Sequence, residues 1–150
     1  MLDINKFGPV KVCKEPDYKY HELCTAWPQA SDEDLDKMIE MAKKIGGVVN
    51  DPTILWKDPG VADAGLVILD GRNRQIVCKT LGLPMETREF LGNYEEARTY
   101  AIMRNMARRH LTAAQKAVQY ALIAQVDARN GFGKGPDIRK ISQLTKALVL

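Results

Sequence analysis

Between Ser31 and Ile45 the apolar residues Leu35, Met38, Ile39, Ala42 and Ile45 recur every three or four positions among acids and lysines. That spacing puts them on one face of a helix. Ser31, followed three residues later by Asp34, predicts its start, and Gly46-Gly47 its stop. The period then shortens. Thr53 to Trp56 and Leu66 to Leu69 are compact β-favouring runs separated by Asp58-Pro59-Gly60, a turn signal. Asp70-Gly71 closes the second run. A short helix over 73–81 is predicted next, stopped by Gly82 and Pro84, and Thr87 to Leu91 reads as a further strand. Upstream, HELCTAW (21–27) reads as a short strand ended by Pro28. Residues 1–20 show no clean period and read as an N-terminal arm.

The remainder is helical in pattern. Asn93 with Glu96 forms a capping box opening a helix through Arg108, and Thr112 with Gln115 opens another to Ala128. NGFGKGPD (130–137) is a Gly-rich joint. Ile138, Ile141, Leu144 and Leu148 then repeat at helical spacing. The sequence stops on Ala147-Leu148-Val149-Leu150, an apolar end that predicts either a fragment or a docking contact with a partner.

Composition narrows the class. With 150 residues, 45% hydrophobic and 27% charged, the chain suits one domain with a proper core and an appended helical piece. This excludes a disordered, collagen-like or disulfide-stapled chain. No uncharged apolar run approaches the roughly 18 residues that span a bilayer, and the first twenty residues lack a signal-peptide core. The expected setting is the cytoplasm, of a bacterium or of a phage host. Cys13, Cys24 and Cys78 form no CxxC pair. His21 and Cys24 have ligand-like spacing, but the one other histidine is His110, and a zinc site needs about four ligands.

The formal net charge of +3 conceals a division. Residues 1–97 carry twelve basic and seventeen acidic residues, net −5, whereas 98–150 carry ten basic residues against Asp127 and Asp137, net +8. A basic rear on an acidic front points to a polyanion as partner.

Two stretches carry candidate chemistry. In Leu66-Val67-Ile68-Leu69-Asp70-Gly71-Arg72-Asn73-Arg74 a buried strand runs through a glycine turn directly into a helix. Helix-start amides, the helix dipole and two arginines together suit a phosphate. The competing reading is a plain turn whose arginines pair with nearby acids. In the second stretch, 103–112, Arg104 and Arg108 share one helix face, and Asn105 and Arg109 the adjacent one. Cations favouring a helix C-terminus would explain that pattern equally well.

DGRNR, a short helix with Leu-Gly, and an acidic-start helix ending in N-x-x-RRHLT together resemble the N-terminal domain of ParB-like proteins, in the phage and plasmid mobile-element branch. These share a fold with sulfiredoxin. The resemblance runs from near His21 to about Gln125. It implies an α+β fold, a small mixed sheet with flanking helices, followed by an all-helical C-terminal part. The organisation expected is an arm (1–20), a ParB-like α/β core (21–92), a helical part completing that domain (93–129), and the joint with the start of a helix-turn-helix (130–150).

The resemblance also implies a nucleotide site. Gly71, Arg72, Asn73 and Arg74 would form one phosphate-binding element, and Asn105, Arg108 and Arg109 a second, for a nucleoside triphosphate, CTP or ATP. Magnesium would accompany it, with Asn105 as the candidate metal ligand. Two positions depart from the family pattern: Arg72 stands where the first box usually has an acid, and Arg104 where the second usually has Glu. Sulfiredoxin chemistry is excluded, because its box needs a cysteine, and Cys78 lies a turn beyond Arg74 on an inward-facing pattern.

Function is accordingly expected to be nucleotide-responsive DNA binding of the partition or mobile-element type. Arg104, Lys116, Arg139, Lys140 and Lys146 are the DNA-contact candidates. Residues 136–146 resemble the first helix of a helix-turn-helix, without the recognition helix. A homodimer or partner protein would dock through the C-terminal helix, with no membrane role. The alternatives are a magnesium-dependent NTPase, phosphotransferase or nuclease using Asp70, Glu95 or Glu96, and a non-catalytic interaction module.

Overall fold

A computed structural model describes residues 6–27, 29–47, 52–108 and 112–129. Strand β1 (Lys11–Cys13) is followed by α1 (Glu22–Thr25), α2 (Asp32–Ile45), β2 (Thr53–Trp56), β3 (Val67–Asp70), α3 (Arg72–Leu81), β4 (Met85–Phe90), α4 (Tyr94–Arg108) and α5 (Ala113–Arg129). The four strands form one mixed sheet in the order β1-β4-β2-β3. The β2–β4 pair is parallel and the two outer pairs are antiparallel.

Two of the expected helix starts, at Ser31 and Asn93, are made by the side chains that announced them. Ser31 Oγ accepts the Asp34 amide at 3.1 Å, and Gly46 ends α2 at φ 72°. Asn93 and Glu96 cap each other reciprocally, at 3.0 and 2.9 Å. The small mixed sheet and flanking helices are those the resemblance implied. The Gly-rich joint and the final helix lie outside the described residues.

One expectation is corrected. Residues 21–27 hold a helical turn, α1, rather than a strand. His21 decides this: its Nδ1 accepts the Leu23 amide at 3.0 Å, and its Nε2–H therefore donates to Asp58 Oδ2 at 2.8 Å. Extended pairing ends just before, where the His21 amide donates to the Ile68 carbonyl. Within the segment read as an arm, β1 pairs with β4, and Phe7 packs against Phe90 and Tyr100.

Strand alternation sends neighbouring residues to opposite faces. Ile54, Trp56 and Phe90 join Ala97, Tyr100 and Ala101 of α4, with Ile123 of α5, in the larger core cluster. Leu55 and Ile68 face the other way, toward Tyr18 and Tyr20, which hydrogen-bond Gln75 of α3. The sheet is thus sandwiched between α4 and α3.

The β2–β3 register slips between Ile54 and Leu55, so that Ile54 opposes Asp70 but Leu55 opposes Ile68. Leu69 is the extra residue. A bulge of this kind breaks the alternation: Leu69 enters the α4-side cluster, and the next residue, Asp70, also reaches α4.

Candidate functional site

The end of β3, the start of β2 and the start of α3 meet at one end of the sheet. Gly71 sits at the junction with φ 121° and ψ 23° and provides no side-chain cap for α3. A Cβ on Gly71 would lie 2.6 Å from Thr53 Oγ1 and 2.8 Å from its Cγ2. Glycine is needed here for both conformation and space. The first amide of this turn with an internal acceptor is that of Gln75, which donates to the Gly71 carbonyl at 3.2 Å. The N–H groups of Arg72, Asn73 and Arg74 have no acceptor among the described residues, as at any uncapped helix start.

The two arginines are anchored by backbone. Arg72 Nη2 donates to the Trp27 carbonyl at 2.8 Å, and Arg74 Nη1 to the Pro52 carbonyl at 2.7 Å. Arg74 is only 6% exposed. Among the described residues it pairs with no carboxylate, and its one hydrogen bond there is to a neutral carbonyl. An isolated buried charge is costly, and the arrangement favours an anion. The Thr53 hydroxyl and Asn73 Oδ1 are buried and likewise lack partners among the described residues.

The second stretch reaches the first through Arg104. Asp70 Oδ2 lies 3.4 Å from Arg104 Nε and accepts the Tyr100 hydroxyl at 3.3 Å. Tyr100 and Arg104 are one turn apart on α4, so one carboxylate holds both. Burial foremost, then the Asp70 charge, push the Tyr100 hydroxyl well above the usual tyrosine range, against the opposing pull of Arg104 and Arg74.

Other expected residues fall elsewhere. Asn105 Nδ2 donates to the Ala101 carbonyl of its own helix at 2.7 Å. Glu95 sits 3.9 Å from Arg98, and Glu96 serves the capping box and pairs with Lys6 at 3.4 Å. Eight or nine residues separate them from Arg104, about 12 Å along the helix axis. They form no carboxylate pair with Asp70. Lys116 is exposed on α5. Arg108 ends α4, and its side chain lies outside the described residues, as do Arg109, Arg139, Lys140 and Lys146 entirely. Cys78 is buried, its Sγ directed at the Pro84 carbonyl, and burial raises its thiol above the ordinary value. It is no nucleophile.

The donor set does not build a cage for a divalent cation. Asn105 turns its amide into its own helix, Asp70 Oδ2 is already engaged, and among the described residues no three His, Cys, Asp or Glu side chains lie together.

Thr53 and Tyr100 went unmarked in the sequence. Tyr100 had a usable signal, four residues before Arg104. Thr53 had none, because its closeness to Gly71 is made by the tertiary fold.

The fold is that of a ParB-like N-terminal domain. A solved structure of a Pnob8-like ParB-N domain superposes with a TM-score of 0.52 over 86% of this chain, at 19% identity. The chain spans about half of that protein, 48% of its length. No family model and no curated protein matches the sequence. Among the described residues no helix is long and apolar enough to cross a membrane.

Proposed function

We propose that this chain is a ParB-like, nucleotide-responsive DNA-binding protein of the partition or mobile-element type. A nucleoside triphosphate, CTP or ATP, places a phosphate on the Arg72–Arg74 amides and beside the Arg74 guanidinium. The observation that carries this reading is Arg74, a buried cation at an uncapped helix start with no carboxylate partner among the described residues. By the resemblance to ParB-like proteins, Arg108, Arg109 and Asn105, the last once released from the Ala101 carbonyl, are further candidates for the same phosphate.

Asp70 links that site to α4, and Tyr94 and Arg98 of α4 hold the buried Asp127 of α5 at 2.9 and 3.2 Å. Phosphate at α3 can therefore favour one arrangement of the basic helices over another. Lys116 with Arg139, Lys140 and Lys146 grips DNA phosphates, and a second copy or partner docks on the segment 138–150. The protein acts in the cytoplasm.

The test is a panel of nucleoside triphosphates titrated against the full chain, with and without duplex DNA, over a range of salt. Nucleotide-dependent DNA affinity that falls steeply with salt is expected. Binding indifferent to both nucleotide and salt would refute the reading. Steady magnesium-dependent turnover abolished by Arg74→Ala would assign the site to an enzyme instead.

A further inference from the structure

We infer that this site holds its phosphoryl group through arginine and backbone amides, without a bridging divalent cation. The inference rests on the phosphate reading above and goes beyond it in specifying the chemistry of the ligand. Among the described residues, three guanidiniums, Arg72, Arg74 and Arg104, and one carboxylate, Asp70, stand around the α3 start. That carboxylate is 8% exposed and its Oδ2 accepts from both Tyr100 and Arg104, so it already serves as counter-ion to a cation.

A divalent cation arriving here would meet like charge at every arginine and would have to compete with Arg104 for Asp70. A phosphate meets the reverse. Arg74 is 6% exposed, fixed by the Pro52 carbonyl and, among the described residues, without a carboxylate of its own, and the adjacent amides of α3 donate outward. Guanidinium donors match phosphate oxygens geometrically and neutralise charge that would otherwise require a metal. Arg72 and Arg104 beside Arg74 thus favour the bare anion over a metal–phosphate complex.

Sodium tripolyphosphate is the probe, titrated calorimetrically into the full chain, once in EDTA and once in excess magnesium chloride. The expected result is equal or tighter binding in EDTA, since magnesium competes for the same oxygens. An affinity raised about tenfold or more by magnesium overturns the inference while leaving the phosphate site standing. No binding under either condition overturns the phosphate reading itself.

Arg74→Gln should lower affinity about tenfold, to the same extent with and without magnesium. If circular dichroism shows that variant unfolded, Arg104→Gln takes its place with a smaller loss of the same pattern. A loss confined to the magnesium arm contradicts the inference.

Discussion

The carboxylate of Asp70, the last residue of β3, lies 3.4 Å from the Nε of Arg104 on α4, thirty-four residues further along the chain. The contact joins the two basic stretches of the sequence, and the same oxygen accepts the Tyr100 hydroxyl. It depends on the bulge at Leu69, which turns two successive side chains toward α4.

Asp70→Asn should therefore separate stability from binding. Removing the charged acceptor leaves Tyr100 and Arg104 less well paired and costs about 1–2 kcal/mol, discounted for the partial exposure of Arg104. Urea denaturation reads that loss. Tripolyphosphate affinity should rise in the same variant, because a carboxylate facing the anion has lost its charge.

Gly71 is the least replaceable residue of the junction. Gly71→Ala forces a Cβ to within 2.6 Å of Thr53 Oγ1 at φ 121°. The expected cost is about 2–4 kcal/mol, from backbone strain together with overpacking. Thr53→Ala in the same chain should recover the overpacking part and leave the strain. Recovery to the full wild-type melting temperature would show that the φ requirement is not real.

Thr53 itself gives a test with the opposite sign. Its hydroxyl is fully buried and unpartnered among the described residues, so Thr53→Val keeps the shape and removes an unsatisfied polar group. Stability should rise by about 1 kcal/mol. If the hydroxyl meets bound phosphate, nucleotide affinity should fall in the same variant.

Alkaline pH should destabilise the fold. Tyr94 and Tyr100 are both held above the ordinary tyrosine value, chiefly by burial, with Asp127 and Asp70 respectively adding to it. A folded pKa above the unfolded value means the stabilisation is intact below about pH 10 and is lost as pH rises beyond it, because the unfolded chain gives up the protons first. Melting temperatures measured from pH 8 to 11 should fall most steeply above 10. Tyr100→Phe should flatten part of that slope.

Much of this fold could be read from particular residues. Ser31, Gly46, Asn93 and Glu96 act locally, through hydrogen bonds within a few residues, so the helices they bound were legible. α1 was not, because a run of mixed apolar residues gives no period, and the deciding contact is His21 with Asp58, thirty-seven residues away. At the site, Gly71 and the arginines were visible as a strand–glycine–helix junction. The pairing of Asp70 with Arg104 and the position of Thr53 beneath Gly71 were not, since a bulge and a sheet register create them.

The proposed phosphate site is formed by the amides opening α3 and the buried Arg74. Two-dimensional amide NMR of the full chain, titrated with CTP and then ATP, tests it most directly. The largest shifts are expected on the Arg72, Asn73 and Arg74 amides, with smaller ones on Tyr100 and Arg104, and Arg74→Gln should abolish them. Saturable shifts that leave residues 71–74 unmoved, or that persist unchanged in Arg74→Gln, would contradict it.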